Sequence, residues 1–192
     1  MAGRWFLLKQ FLRHPMQVGA IAPSGKKLCS ELVSWLELEN SAVAAELGPG
    51  TGAVTREAVR QCGANTRFFA VELDKNIYDE FKVSMPGVEI FNANACELDK
   101  LCRNEDIDAL DAVISGLPWA SFPENLQQDI LSAVNRSLKA GGRFSTFAYL
   151  QGMILPGGIR FRKLLQKEFS HVEISPVIWN NLPPAVVYRC LK

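Results

Sequence analysis

The chain has 192 residues, enough for one domain with a substantial core, and its 48% hydrophobic and 21% charged content is ordinary for a globular protein. A formal net charge of +1 provides no whole-molecule field toward nucleic acid. Two distant histidines, His14 and His171, and no cysteine pair at zinc spacing argue against a metal site, and no apolar run nears the ~20 residues that span a bilayer. Five scattered cysteines, an odd number, predict reduced, buried thiols and a cytosolic setting rather than a disulfide framework.

The charge is uneven. Residues 1–30 hold five Lys/Arg and no acid. Residues 3–14 place Trp5, Leu8, Phe11 and Leu12 on one helical face and Lys9, Gln10 and Arg13 opposite, until Pro15 stops the helix. Such a helix either packs on the domain or lies in a membrane interface, where ~1 kcal/mol per basic residue supports reversible attachment. A small-residue loop, Gly19 through Ser24, follows. Ser24 is placed to cap a helix with Leu28, Leu32 and Trp35/Leu36 on one face, so residues 1–36 form a helical extension to a single domain.

The organising stretch is Glu46-Leu47-Gly48-Pro49-Gly50-Thr51-Gly52, between an apolar strand at 41–45 and a helix in which Val54, Ala58 and Cys62 share a face. Alternate glycines let a ligand approach the main chain, and the turn delivers it to the amino end of the next helix. The G-x-G-x-G spacing is neither the dinucleotide fingerprint nor the Walker loop, and no lysine follows to meet a triphosphate. A second strand, 66–71, ends at Glu72-Leu73-Asp74, where Glu72 is placed to accept hydrogen bonds from ribose hydroxyls.

Glu46–Gly52 with Glu72 resembles the S-adenosylmethionine site of class I methyltransferases. The resemblance implies a doubly wound, Rossmann-like α/β fold whose sheet has seven strands, mostly parallel, with an antiparallel C-terminal hairpin. It implies S-adenosyl-L-methionine as cofactor, the glycine loop (Glu46, Gly48, Gly50, Thr51, Gly52) against its methionine half and Glu72 with Leu73 at its ribose. The third strand, 88–91, leads to Asn94 and Ala95, which the resemblance places at the adenine.

Residues 75–84 read as a helix ended by Pro86-Gly87. The fourth strand, 111–115, runs into Gly116-Leu117-Pro118-Trp119 at the carboxyl end of a central strand, where substrates bind. This motif is similar to the Asn-Leu-Pro-Tyr motif of amine-directed methyltransferases, with Ser115-Gly116 in place of the asparagine. It makes Ser115, Leu117 and Pro118 candidate catalytic residues, with Ser115 also beside the cofactor. Ser121-x-x-Glu124 reads as a capping box for a helix with Leu126, Ile130, Leu131, Val134 and Leu138 in the core, ending at Gly141-Gly142. Residues 143–149 form the fifth strand and deliver Tyr149, a further catalytic candidate. A basic helix at 159–169 and two closing strands, 172–179 and 185–191, complete the chain.

Val18–Ser24, Glu46–Gly52, Ser115–Pro118 and Asn181-Leu182-Pro183-Pro184-Ala185 together resemble the bacterial soluble phospholipid N-methyltransferases. That family methylates the amine of phosphatidylethanolamine or its partly methylated products and binds membranes through an N-terminal amphipathic helix. The implied partners are a phospholipid substrate and an anionic membrane surface. Trp5, Leu8 and Phe11 are then membrane contacts. A lipid phosphate calls for cationic partners, and Arg160, Arg162 or Lys163 either supplies them or forms a solvated basic helix face. The implied location is cytoplasmic, held reversibly at the inner face of the cytoplasmic membrane. Neither nucleic acid nor metal is expected as a partner, and the oligomeric state is left open. Where the family has Tyr-Gly after the fifth strand, Tyr149 is followed by Leu150. The alternatives are an RNA adenine N-methyltransferase of the ribosomal dimethylase type, a small-molecule amine methyltransferase, and a cofactor-binding module without activity.

Overall fold

A computed structural model describes residues 25–192. The predicted helix at 3–14, with Trp5, Leu8 and Phe11, and the cap at Ser24 lie outside the described residues. The described chain is a seven-stranded sheet in the order β3-β2-β1-β4-β5-β7-β6, with helices on both faces. Its strands are β1 (Val43–Leu47), β2 (Arg67–Glu72), β3 (Glu89–Asn92), β4 (Leu110–Ser115), β5 (Leu138–Tyr149), β6 (His171–Ile174) and β7 (Ala185–Leu191). The pairings among β1–β5 are parallel, while β7 runs antiparallel to both β5 and β6. This is the expected α/β Rossmann-like methyltransferase fold.

β1 is an interior strand between β2 and β4, covered on both faces: Ala44, Ala45 and Leu47 are fully buried. Helices α1 (Lys26–Ser34) and α2 (Ala53–Gln61) cover one face through Leu28, Leu32, Val54 and Ala58. On the same face α3 (Lys75–Ser84) buries Phe81 against Ala70 and Ile90. Asp74 caps α3, its carboxylate accepting from the Asn76 N–H at 2.9 Å. The other face is covered by α4 (Leu98–Asn104), α5 (Glu124–Ser137) and α7 (Pro156–Glu168), the last preceded by the short α6 (Leu150–Met153). Trp119, Phe144, Phe161 and Phe169 form its aromatic core, with the Trp119 and Phe161 rings stacked at 4.3 Å.

Several boundaries differ from the sequence expectations. β1 begins at Val43 rather than Ser41 and takes in Glu46 and Leu47. The capping box does not form, because Ser121 closes a 3-10 turn at Trp119–Ser121 and Pro123 occupies the N-cap. α5 ends at Ser137, and Leu138 already pairs with Leu110 of β4. The expected stop at Gly141-Gly142 is instead an irregularity within β5, between the Leu110 and Ala112 pairings, with Gly141 exposed and Gly142 buried. α7 starts earlier than expected, at Pro156, whose missing N–H is harmless in a first helical turn. β6 ends at Ile174 rather than Trp179. There the Ser175 hydroxyl accepts the Val187 N–H that a continuing ladder would use, and Pro176 has no N–H to offer.

Candidate active site

The site forms where β1, β2 and β4 end side by side. Gly48 N–H donates to Val71 O of β2 at 2.9 Å, and Gly116 N–H donates to Leu47 O of β1 at 2.9 Å. The turns after β1 and β4 are thereby sewn to neighbouring strands and to each other. The glycine turn has positive φ at Gly48 (70°), Gly50 (53°) and Gly52 (75°), a backbone path closed to most side chains. Gly50 and Thr51 stand exposed at its tip, and Gly52 is buried at the amino end of α2.

A shallow apolar cleft lies at this edge and is lined by Gly48, Val71, Glu72, Leu73, Ala93, Ala95 and Leu117. It brings together five of the residues singled out in the sequence: Gly48, Glu72, Leu73, Ala95 and Leu117. Glu72 closes β2 and is 2% exposed; its Oε1 accepts the Asp74 N–H at 2.8 Å. Burial raises its carboxyl above the usual range, against the opposing effect of the backbone N–H groups of Asp74 and Leu73. Asn92 Nδ2 donates to Glu72 O and Leu73 O, which fixes the backbone on which that carboxylate is carried.

The remaining candidates stand around this cleft rather than along it. Glu46 is fully buried on the α1/α2 face, and Thr55 Oγ1 donates to its Oε2 at 2.6 Å. Burial pushes the Glu46 carboxyl up to about 7. Asn94 is buried, and its Oδ1 accepts the Cys96 N–H, capping the 3-10 turn Ala95–Glu97 and presenting Ala95 to the cleft. Tyr149 ends β5 half-buried beside Phe147, with ring centroids 5.3 Å apart, on the same face as α1 and α2. Burial raises its phenol further above neutrality. Arg160 lies in the second turn of α7, with its Nε buried and without a hydrogen-bond partner.

Ser115 is completely buried, and its hydroxyl faces inward. Ser115 Oγ accepts the Leu117 N–H at 3.3 Å and the Trp119 indole N–H at 3.0 Å, while Thr146 Oγ1 donates to Ser115 O. The indole is shared with Thr146 Oγ1, also at 3.0 Å. One turn on, Gln127 donates from Nε2 to both Trp119 O and Gly157 O, tying the motif to α7. A buried polar network therefore fixes the path of residues 115–119, with Leu117 turned to the cleft and Pro118 half-buried at the start of the 3-10 turn.

Trp119 closes the motif expected from the sequence, whereas Thr55, Gln127, Thr146 and Gly157 signal nothing locally, because their partners lie on different elements. Among the described residues, no group of three or more His, Cys, Asp or Glu side chains is placed to hold a metal ion.

No family model matches the chain. It is 26% identical over 191 residues to the ornithine lipid N-methyltransferase of Singulisphaera acidiphila, covering 97% of this chain and 94% of that protein. A shorter match, 22% over 107 residues, is to the ribosomal RNA small subunit methyltransferase A of Mycoplasmoides gallisepticum, covering 56% of this chain and 39% of that one. Among solved structures, the O-methyltransferase of Bacillus cereus in complex with S-adenosylhomocysteine superposes with a TM-score of 0.70 at 13% identity, covering 97% and 90% of the two chains. The fold is therefore that of class I S-adenosylmethionine-dependent methyltransferases, and the relative matched from end to end is a lipid N-methyltransferase.

Proposed function

We propose that the protein methylates the amine of a membrane lipid, with phosphatidylethanolamine, its methylated derivatives and ornithine lipid as the candidate acceptors. The observation that carries this reading is the end-to-end similarity to an ornithine lipid N-methyltransferase. Similarity to the ribosomal RNA enzyme covers barely half of this chain. At the acceptor motif, the position that the RNA adenine reading would fill with asparagine is Ser115, whose hydroxyl is committed to Leu117 and Trp119.

The cleft suits S-adenosylmethionine. The positive-φ glycine turn leaves room for a backbone-hugging ligand, a buried carboxylate waits at the end of β2, and an apolar floor of Val71, Ala95 and Leu117 lies between. In this reading Gly48, Gly50, Thr51 and Gly52 hold the methionine portion, supported from behind by Glu46. Glu72 with Leu73 takes the ribose hydroxyls, and Ala95, placed by Asn94, packs on the base. The bound cofactor supplies an electrophilic methyl group on a sulfonium.

What the chain contributes is chiefly alignment. The network of Ser115, Thr146, Trp119 and Gln127 freezes residues 115–119, so that Leu117 and Pro118 hold the acceptor nitrogen against the methyl. Such positioning is worth up to ~7–11 kcal/mol of barrier. The nitrogen must arrive without its proton, and Tyr149 is a poor base: its raised phenol stays protonated at neutral pH, leaving it a hydrogen-bond donor. Deprotonation then falls to water at the cleft mouth. Arg160, partly exposed in the second turn of α7, offers its guanidinium to a lipid phosphate.

The test is methyl transfer from labelled S-adenosylmethionine to vesicles containing phosphatidylethanolamine or ornithine lipid, with small-subunit ribosomal RNA as the competing acceptor. Label in lipid, lost with Glu72→Ala, supports the reading. Label confined to RNA overturns it in favour of the adenine methyltransferase.

A further inference from the structure

Seven large apolar side chains stand exposed among the described residues, and five of them are Ile154 (77%), Leu155 (41%), Ile159 (47%), Trp179 (68%) and Leu182 (76%). All five belong to two segments that leave the same end of the sheet. One is the α6–α7 corner, which follows the carboxyl end of β5; the other is the connection that precedes β7. The two are joined there: Tyr149 pairs with Ala185, Ala185 bridges to Ile178, and Leu150 N–H donates to Pro184 O at 3.0 Å.

This end of β5 is also the edge at which the cleft opens. α7 backs directly onto the acceptor motif, because Gly157 lies so close to Ala120 that a Cβ there would stand 2.1 Å from its carbonyl oxygen. The first described residue enters at the same place, with Gly25 N–H held by Asn181 Oδ1 at 3.0 Å.

Charge selects the occupant. The first two turns of α7 carry Arg160, Arg162 and Lys163, and residues 150–163 and 174–188 contain no acid. A protein partner docking by apolar contact alone would need no such cation excess. A surface that combines apolar depth with negative charge at the boundary is the interface of a bilayer holding anionic lipid. Trp179 is the residue type that sits at that boundary.

We infer that this rim, Ile154, Leu155, Ile159, Trp179 and Leu182 with the basic side of α7, is a bilayer-docking surface that seats the cleft mouth on the lipid headgroups. The inference rests on the lipid-amine reading and adds to it the face presented to the membrane. Docking by this rim brings a headgroup amine to Leu117 and Pro118 without lifting the lipid out of the bilayer.

The test uses the full chain and the double variant Ile154→Glu/Leu182→Glu, both sites being exposed enough to leave the core intact. Sedimentation with vesicles of phosphatidylethanolamine and phosphatidylglycerol is measured alongside S-adenosylhomocysteine binding. The expected result is at least about tenfold weaker vesicle binding with unchanged S-adenosylhomocysteine affinity. Lipids brominated on the acyl chain should quench the wild-type fluorescence more than that of Trp179→Phe.

Vesicle binding equal to wild type, with Trp179 unquenched, overturns the rim while lipid methylation can still proceed. A wild-type chain that ignores vesicles but forms a dimer dissociated by the same double substitution overturns it too, placing a second copy on this surface. Failure of the lipid-amine reading itself shows separately, as absence of labelled lipid in detergent micelles, where docking is not required.

Discussion

Gly116 backs onto the carbonyl of Gly48: a Cβ on Gly116 would stand 2.6 Å from Gly48 O, and one on Gly48 would stand 2.7 Å from Leu117 Cδ2. The cofactor turn and the acceptor motif are thus a single packed unit, and neither tolerates a side chain between them. Gly116→Ala must force the two turns apart. The expected cost is about 1–3 kcal/mol of stability, with a parallel loss of S-adenosylhomocysteine affinity. Urea denaturation and calorimetric titration of the variant check both outcomes.

The buried Glu46 predicts an unusual pH dependence. Its carboxyl is raised from 4.5 to about 7, so the folded chain keeps a proton that the unfolded chain releases. The sign follows from linkage: this contribution is fully present below about pH 4.5 and is lost as pH rises through about 7. Glu46→Gln retains an oxygen for Thr55 and abolishes the loss. Without cofactor, it should exceed wild-type stability by up to about 3 kcal/mol at alkaline pH and match it in acid. Denaturation curves across that window measure the difference.

Trp119→Phe keeps the ring stacked on Phe161 but removes the N–H shared by Ser115 and Thr146. The acceptor motif loses its tether while the cofactor cleft keeps its lining. Turnover should fall about tenfold, the value of one net hydrogen bond felt at the transition state, with S-adenosylhomocysteine affinity held within about twofold. Comparable losses in both would show that the network supports the whole edge rather than the acceptor side.

Glu72→Ala removes the carboxylate assigned to the ribose. A hydrogen bond to a charged group is worth about 1.5–3 kcal/mol, so cofactor affinity should drop by about tenfold to a hundredfold. The fold should survive, because Glu72 is a desolvated charge near Glu46 and its removal relieves that burial. Isothermal titration with S-adenosylhomocysteine and a thermal melt separate the two effects.

Much of this fold was legible because its signals are local. The buried apolar β1, the Gly48–Gly52 turn and an acid closing β2 occur in unbroken runs, and strand and helix periods alternate cleanly through β5. Boundaries were misread where tertiary contacts overrule local pattern. Leu138 extends the apolar face of α5 but pairs with Leu110 instead, and Ser121 fits a capping box yet is held in a turn by the motif before it. The cleft lining was legible at Gly48, Glu72 and Leu117. The network behind it was not, since Ser115, Thr146 and Gln127 come from β4, β5 and α5, and only the folded chain brings them together.

The central claim is transfer of a methyl group to a lipid amine nitrogen. The most direct measurement is to incubate the full chain with isotopically labelled S-adenosylmethionine and mixed-lipid vesicles, purify the lipid product, and locate the label by fragmentation mass spectrometry. The expected result is label on the headgroup nitrogen of phosphatidylethanolamine or ornithine lipid. Label on an oxygen or carbon, or unlabelled lipid from a chain that binds S-adenosylhomocysteine, would contradict it.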